Sequence, residues 1–295
     1  MKESVSIIIT SYKEPKTIGR AIEAILKNKL PKDYEILVTA PDKETLTEAK
    51  KYSLKNKKIK LIQDKGEGKP AALNLVLKKA RGKILFFTDG DVFIGENSIP
   101  NILNFFKNKK IGAVSGNPVS LDSKEKMLGF WAFLLTNVAN EQRIEFVKKG
   151  KQIFCSGYLF AIRKELFPLL PEKLLSEDGY ISNEVYKKGY KIGYSSESKV
   201  YIKYPTTFKD WIIQKKRSAG GYNQIKKLTG KQIRSFKSES LGAFRLFKYC
   251  KSIKEYWYLF VLFLARIYLW AVIYKDINIK KKSQKEIWKR VESTK

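Results

Sequence analysis

The chain has 295 residues, and 59 Lys and Arg against 29 Asp and Glu give it a formal charge of +30. Apolar residues make up 43% of it, which excludes a disordered class. Histidine is absent, so His-based zinc chemistry and Ser–His or Cys–His catalysis are excluded, and any general base is a carboxylate, a lysine or a tyrosine. Cys155 and Cys250 are far apart, which speaks against a disulfide framework or thiolate metal site and suits a reducing cytoplasm. The positive excess would attract nucleic acid, an anionic membrane surface or phosphorylated small molecules, and charge alone does not choose among them.

The N-terminus shows no signal-peptide pattern and runs into Val-Ser-Ile-Ile-Ile-Thr at 5–10, a β-branched run of the kind buried on both faces of a parallel sheet. Pro15 suits the first turn of a helix presenting Ile18, Ile22, Ile25 and Leu26 on one face. A second strand is predicted over 34–40, a helix from about Lys43, and a third strand over 59–63. The loop 64–69 leads into Pro70 and a helix with Leu73, Val76, Leu77 and Ala80 on one face. A fourth strand covers 83–88, with Asp89-Gly90-Asp91 at its carboxyl end. The alternation predicts an α/β fold, a mostly parallel central sheet flanked by helices. In such sheets ligands bind beyond the carboxyl ends of the strands, where Glu14, Asp42, Lys69, Asp89 and Asp91 all fall.

Farther on, a helix is expected over 127–147 and a strand pair, or a strand with a Gly-marked bend, over 153–162. Ser176 is a candidate N-cap for a helix that Gly189 would end, and two short strands are expected over 191–195 and 199–204. Composition shifts after about residue 206, which divides the chain into 1–206 and a basic, apolar C-terminal helical region, 207–295. Within the latter, 256–274 is almost wholly apolar, interrupted by Arg266 and flanked by lysines. Its helical length of roughly 28 Å nearly matches a hydrocarbon core of about 30 Å. A core or oligomer-interface helix is the other reading.

Two Asp separated by one Gly after a buried strand can reach one hard divalent cation, Mg2+ or Mn2+. Alone, Asp-Gly-Asp is more often a solvated turn. Its company adds to it: Tyr12-Lys13-Glu14, Asp42, Gly68-Lys69-Pro70-Ala71-Ala72-Leu73-Asn74, Asp89-Gly90-Asp91, Ser176-Glu177-Asp178 and Gln214-Lys215-Lys216-Arg217 follow in order. This series, over about residues 4 to 217, resembles glycosyltransferase family 2, whose members have the GT-A fold and are inverting, metal-dependent enzymes.

The resemblance implies a role at each matched position. Glu14 and Asp42 would contact the base and ribose of a nucleotide-sugar donor, and Lys69 would lie near the nucleotide or its phosphates. Asp89 and Asp91 would hold the metal, with Gly90 between them at the donor. Asp178 would be the catalytic base, and Glu177 beside it an acceptor-site candidate. The ordinary reading of the last two, carboxylates favouring a helix dipole, can hold at the same time. Gln214 and Arg217 match part of a Gln-x-x-Arg-Trp signature of membrane-associated members, and Arg217 could bind the diphosphate. Ser218 stands where that signature has Trp, at the acceptor site, which puts processive polymer synthesis in doubt.

The implied activity is transfer from a UDP- or GDP-sugar to a lipid or lipid-linked acceptor, at the cytoplasmic face of the cell membrane. The alternatives are a polysaccharide-chain synthase of the same family and a basic nucleic-acid or membrane-surface binder without catalysis. The acidic series speaks against nucleic acid as a partner, and nothing sets the oligomeric state.

Overall fold

The computed structural model describes residues 4–230, 243–276, 291 and 293–294. The expected basic stretch at 231–242 and the lysines from 280 onward lie outside the described residues. The chain divides into two compact units, one of Met1–Pro118 and Arg143–Ile202, the other of Val119–Gln142 and Lys203–Thr294.

The first unit is built on a sheet of eight strands: β1 (Val5–Thr10), β2 (Tyr34–Ala40), β3 (Ile59–Gln63), β4 (Ile84–Asp89), β5 (Phe93–Ile94), β6 (Ile111–Ser120), β7 (Leu159–Arg163) and β8 (Lys191–Ile202). Their order is β3-β2-β1-β4-β7-β6-β8-β5. The first four pair in parallel, and β7 joins β4 antiparallel. Burial of Ile7, Ile8, Ile9, Ile36, Leu37 and Val38 explains the unbroken apolar runs: β1 and β2 are covered on both faces. Helices α1 (Ile18–Leu26), α2 (Lys43–Lys55) and α3 (Lys69–Leu77) make the crossovers, followed by α4 (Ser98–Phe105). On α1, Ile18, Ile22 and Ile25 are buried as expected, whereas Leu26 is exposed.

Two local expectations change. The chain at 153–158 is irregular, with a single bridge from Ser156 to Leu159, and only β7 forms there. The two short strands near 191–204 are one strand, β8. Its Ser-Ser-Glu-Ser stretch stays in the sheet because its hydroxyls are paired. Ser195 Oγ lies 2.7 Å from Ser198 Oγ, which is 2.9 Å from the Ser98 carbonyl. Gly189, with φ +80°, follows helix α6 (Glu177–Lys187) as predicted.

The second unit centres on α7 (Phe208–Thr229), α8 (Ile253–Tyr274) and the part of α5 (Met127–Lys148) up to Gln142. Its core joins Phe130, Trp131 and Leu134 to Trp211, Leu259, Leu262 and Leu269. Trp131 meets Trp211 edge-on at 5.3 Å and donates its indole N–H to the Tyr258 carbonyl at 2.7 Å.

Candidate active site

The site forms where parallel strands β1, β2 and β4 end together. Thr10 pairs in register with Asp89, and its hydroxyl donates to Asp89 Oδ1 at 2.8 Å. Lys69, at the start of α3, donates to the same oxygen at 2.7 Å and reaches Glu177 Oε1 at 2.9 Å. One ammonium therefore joins the end of β4 to the N-terminus of α6. The side chains of Lys69, Asp89 and Glu177 are 30%, 24% and 13% exposed. Burial opposes the charge on Lys69, but the two carboxylates outweigh it and hold the ammonium well above the usual lysine range.

Asp91 follows on the turn after β4 and is half-buried. Gly90 between the two acids has no room for a side chain. A Cβ there would lie 2.3 Å from Ser11 Oγ and 2.6 Å from Glu14 Oε2. Glu14 is buried, and Ser11 donates to its Oε2 at 2.7 Å.

Asp42 has a scaffolding role in the geometry. Its Oδ1 caps α2 by accepting from the Thr45 N–H at 3.0 Å, and its Oδ2 accepts from the Lys13 N–H at 2.7 Å. Lys13 has φ +55°, a strained conformation for a side chain of its kind, and this bond helps to fix it. Burial raises the Asp42 pKa, but donors from Thr45 and the Lys13 backbone prevail and hold it below the ordinary 3.8.

Asp178 is gripped from three sides. Its Oδ2 accepts from the Gly157 N–H at 3.0 Å, and its Oδ1 from the Ser176 hydroxyl at 2.7 Å and the Gly179 N–H at 2.8 Å. Ser176 stands at the N-cap position of α6, but makes no side-chain cap to the helix backbone. Its hydroxyl donates to Asp178 instead, and the carboxylate Oδ1, a stronger acceptor than a hydroxyl, takes the Gly179 N–H. Cys155, which precedes Ser156 and Gly157, is buried, and burial pushes its thiol up to about 12, so it is no thiolate nucleophile.

Gln214 and Arg217 lie on α7 in the second unit. Gln214 is buried, and among the described residues its Oε1 has no hydrogen-bond partner. Ser218 is exposed and donates back to the Gln214 carbonyl at 3.2 Å, one turn earlier on the helix.

Among the described residues, no three His, Cys, Asp or Glu gather in one metal cage. The donor set nevertheless fits a hard cation that keeps waters and substrate phosphates. It offers oxygens only, two carboxylates one residue apart, and both side-chain hydrogen bonds to Asp89 fall on Oδ1. A separate concavity of about 510 Å³, between α1, β5 and β8, holds none of these acids. Arg20, Lys27 and Lys199 line it beside Glu23 and Glu197, so it presents no single charge to a ligand.

Sequence reasoning missed three groups that aim the acids, Thr10, Ser11 and the Gly157 N–H, and read Ser176 as a helix N-cap, not as a donor to Asp178. Register would have found Thr10, the last residue of β1 opposite Asp89 in a parallel pair. The Gly-marked bend expected within 153–162 falls at Gly157, but nothing in the sequence signals that an irregular segment brings its amide to Asp178.

The fold and site define a sugar-transferring enzyme of the GT-A kind. The family model for glycosyl transferase family 2 matches residues 6–169, and the chain belongs to that family. It is 28% identical over 246 residues to the probable glycosyltransferase YdaM of Bacillus subtilis (strain 168), covering 76% of this chain and 57% of that protein. It is 23% identical over 236 residues to the poly-beta-1,6-N-acetyl-D-glucosamine synthase of Staphylococcus epidermidis, covering 76% and 55%. The chain thus spans little more than half the length of these relatives. Among solved structures, the mannosyltransferase PcManGT from Pyrobaculum calidifontis, in complex with GDP-Man and Mn2+, superposes with a TM-score of 0.63. That match covers 98% of this chain and 83% of that one at 18% identity, a likeness of fold.

Proposed function

We propose that this glycosyltransferase moves a hexosyl unit, with inversion, from a UDP- or GDP-sugar to a lipid-linked acceptor at the cytoplasmic face of the cell membrane. The observation that carries this reading is the Lys69 bridge, which holds the acidic end of β4 against the Glu177-Asp178 start of α6. Asp89 and Asp91 are the oxygens that would hold Mn2+ or Mg2+. When bound, such a cation would supply positive charge to the diphosphate leaving group. The GDP-Man and Mn2+ in the structural neighbour support a nucleotide-sugar donor and a divalent metal.

Asp178 would take the proton of the acceptor hydroxyl as that oxygen attacks the anomeric carbon from the face opposite the diphosphate. Its three donors hold one carboxylate orientation, which suits that task. With a phosphate monoester as acceptor no base is needed, and Asp178 would orient the substrate. Glu14 and Asp42 are proposed at the base and ribose, Gln214 and Arg217 at the diphosphate, and Glu177 and Ser218 at the acceptor.

The test is a screen of nucleotide sugars with Mg2+ and Mn2+, read by donor cleavage and thermal shift. Turnover of Asp91→Asn equal to that of the unaltered enzyme would remove the metal role. A product that retains the donor's anomeric configuration would overturn inversion. Asp178→Asn should slow transfer to a hydroxyl by about 10²–10⁴-fold. A second reading, polymer synthesis, is favoured by the Staphylococcus epidermidis relative. Products longer than one added sugar would select it.

A further inference from the structure

Helix α8 is long and apolar enough to cross a membrane by length and composition. Its packing describes a different use. Leu259, Leu262, Ala265, Leu269 and Ile273 line one face and are buried in the core of their own unit. On the opposite face Ile253, Trp257, Phe260, Leu264 and Ile267 recur every three or four residues and are exposed, at 90%, 60%, 50%, 50% and 62%. Tyr268 and Tyr274 extend this stripe. A whole aromatic side chain offers roughly 150–250 Å², and Trp257, Phe260, Tyr268 and Tyr274 each expose half or more of theirs beside three aliphatic residues, so the stripe exceeds the few hundred Å² of contiguous apolar surface that soluble monomers ordinarily expose. A helix apolar on every side is normally covered on every side, and this one is covered on half.

We infer that α8 lies in the plane of a bilayer, with the stripe at 253–274 sunk to the level of the headgroups and first acyl carbons. The inference rests on the membrane placement proposed above and adds its geometry. Three observations favour this occupant. Charge is complementary to anionic headgroups: Lys251, Lys254 and Lys275 flank the stripe and are exposed, and the sequence continues with Lys280, Lys281 and Lys282. Trp257, Tyr268 and Tyr274 are residue types that favour the interface. The buried face cannot leave its core for hydrocarbon, because neighbouring α7 carries Lys209, Lys215, Lys216, Arg217, Lys226 and Lys227. A spanning α8 that kept this packing would draw those charges, and its own half-buried Arg266, into the membrane.

The test uses the full chain and vesicles of phosphatidylcholine with or without phosphatidylglycerol. Binding should need phosphatidylglycerol, weaken with salt, and fall by about tenfold or more in Phe260→Glu/Ile267→Glu. Leu54→Glu, an exposed position on α2, should bind as the unaltered chain does. Thermal melting confirms that each variant is folded. Depth is read from a fluorophore on Ile253→Cys, Leu264→Cys or Tyr274→Cys, and the three should report one shallow depth. A label at 264 lying deeper than those at both ends would mean a spanning helix and overturn the inference. So would self-association of the chain without vesicle binding, which would make the stripe a contact between two copies. Donor cleavage without vesicles should be the same in the Glu variants. If cleavage is present and vesicle binding absent, the geometry alone is wrong. If vesicles are bound and no nucleotide sugar is cleaved, the proposed reaction alone is wrong.

Discussion

Replacing Lys69 by Met removes the cation that joins Asp89 to Glu177 while keeping the length of the side chain. At an effective dielectric of about 20, each contact near 2.8 Å represents roughly 6 kcal/mol of attraction before desolvation. Most of that is offset by withdrawing three charges from water. Truncating one partner of a fully buried pair costs about 3–5 kcal/mol, whereas exposed pairs contribute about 0–1. With exposures of 13–30%, the bridge falls between, at about 2–3 kcal/mol. For a unit of this size that corresponds to a loss of about 5–10 °C in melting temperature. The assay is thermal unfolding with EDTA or with Mn2+. Two carboxylates deprived of their lysine should welcome a divalent cation, so Mn2+ should raise the melting temperature of Lys69→Met more than that of the unaltered enzyme. A variant that melts within about 1 °C of the parent and responds equally to Mn2+ would refute the bridge.

Gly90→Ala should cost about 1–3 kcal/mol, read in a urea melt, because its Cβ meets Ser11 and Glu14 at 2.3 and 2.6 Å. Gly157→Ala, whose Cβ would lie 3.3 Å from Asp178 Oδ2, should melt nearly as the parent but transfer sugar more slowly. Asp42→Ala should lower stability by about 1–2 kcal/mol through the lost cap, and a change confined to donor KM would show that the scaffolding role is minor. Glu35 is buried at the opposite end of β2, and burial raises its pKa. The Arg81 N–H, Lys60 and the Ser6 hydroxyl outweigh this, so the folded value lies below 4.5. Its contribution is therefore present above pH 4.5 and is lost as pH falls through the lowered value, and acid unfolding of Glu35→Gln should be shallower than that of the parent. Neither Cys155 nor Cys250 should react with a thiol reagent at pH 8 until the chain is unfolded, since both are buried and burial raises both thiols.

The parallel half of the sheet was legible because its strands state their burial in their residues. Val5–Thr10 and Tyr34–Ala40 are β-branched runs covered on both faces. The antiparallel half was legible only in part: a strand is expected where β7 lies and two where β8 lies, whereas β6 goes unread because there tertiary pairing overrides propensity. Strand β6 reads Ile-Gly-Ala-Val-Ser-Gly-Asn-Pro-Val-Ser, with glycines, a proline and polar residues that signal a loop. It is a strand because its polar groups are answered: Ser115 Oγ accepts from the Ser156 N–H at 3.0 Å, and Asn117 donates to the Ser196 carbonyl at 3.0 Å. Strand β8 reads as two short strands because its Ser-Ser-Glu-Ser middle carries the same polar signal, and β5, with two residues, carries too little pattern to be seen.

The acidic positions were legible in a different way, through their order along the chain, and geometry now separates them. Asp42 and Glu14 are tied into the turn after β1, where they fix Lys13 and close against Gly90. Asp89 is tied to Thr10 and Lys69, and through Lys69 to Glu177. The glycine of Asp-Gly-Asp follows from this packing. A residue with a side chain would push Ser11 and Glu14 away and move the turn that carries Asp91. What reads in the sequence as a common solvated turn is therefore a junction of three segments, the ends of β1 and β4 and the start of α3. The spacing of its two acids is set by neighbours some eighty residues earlier in the chain.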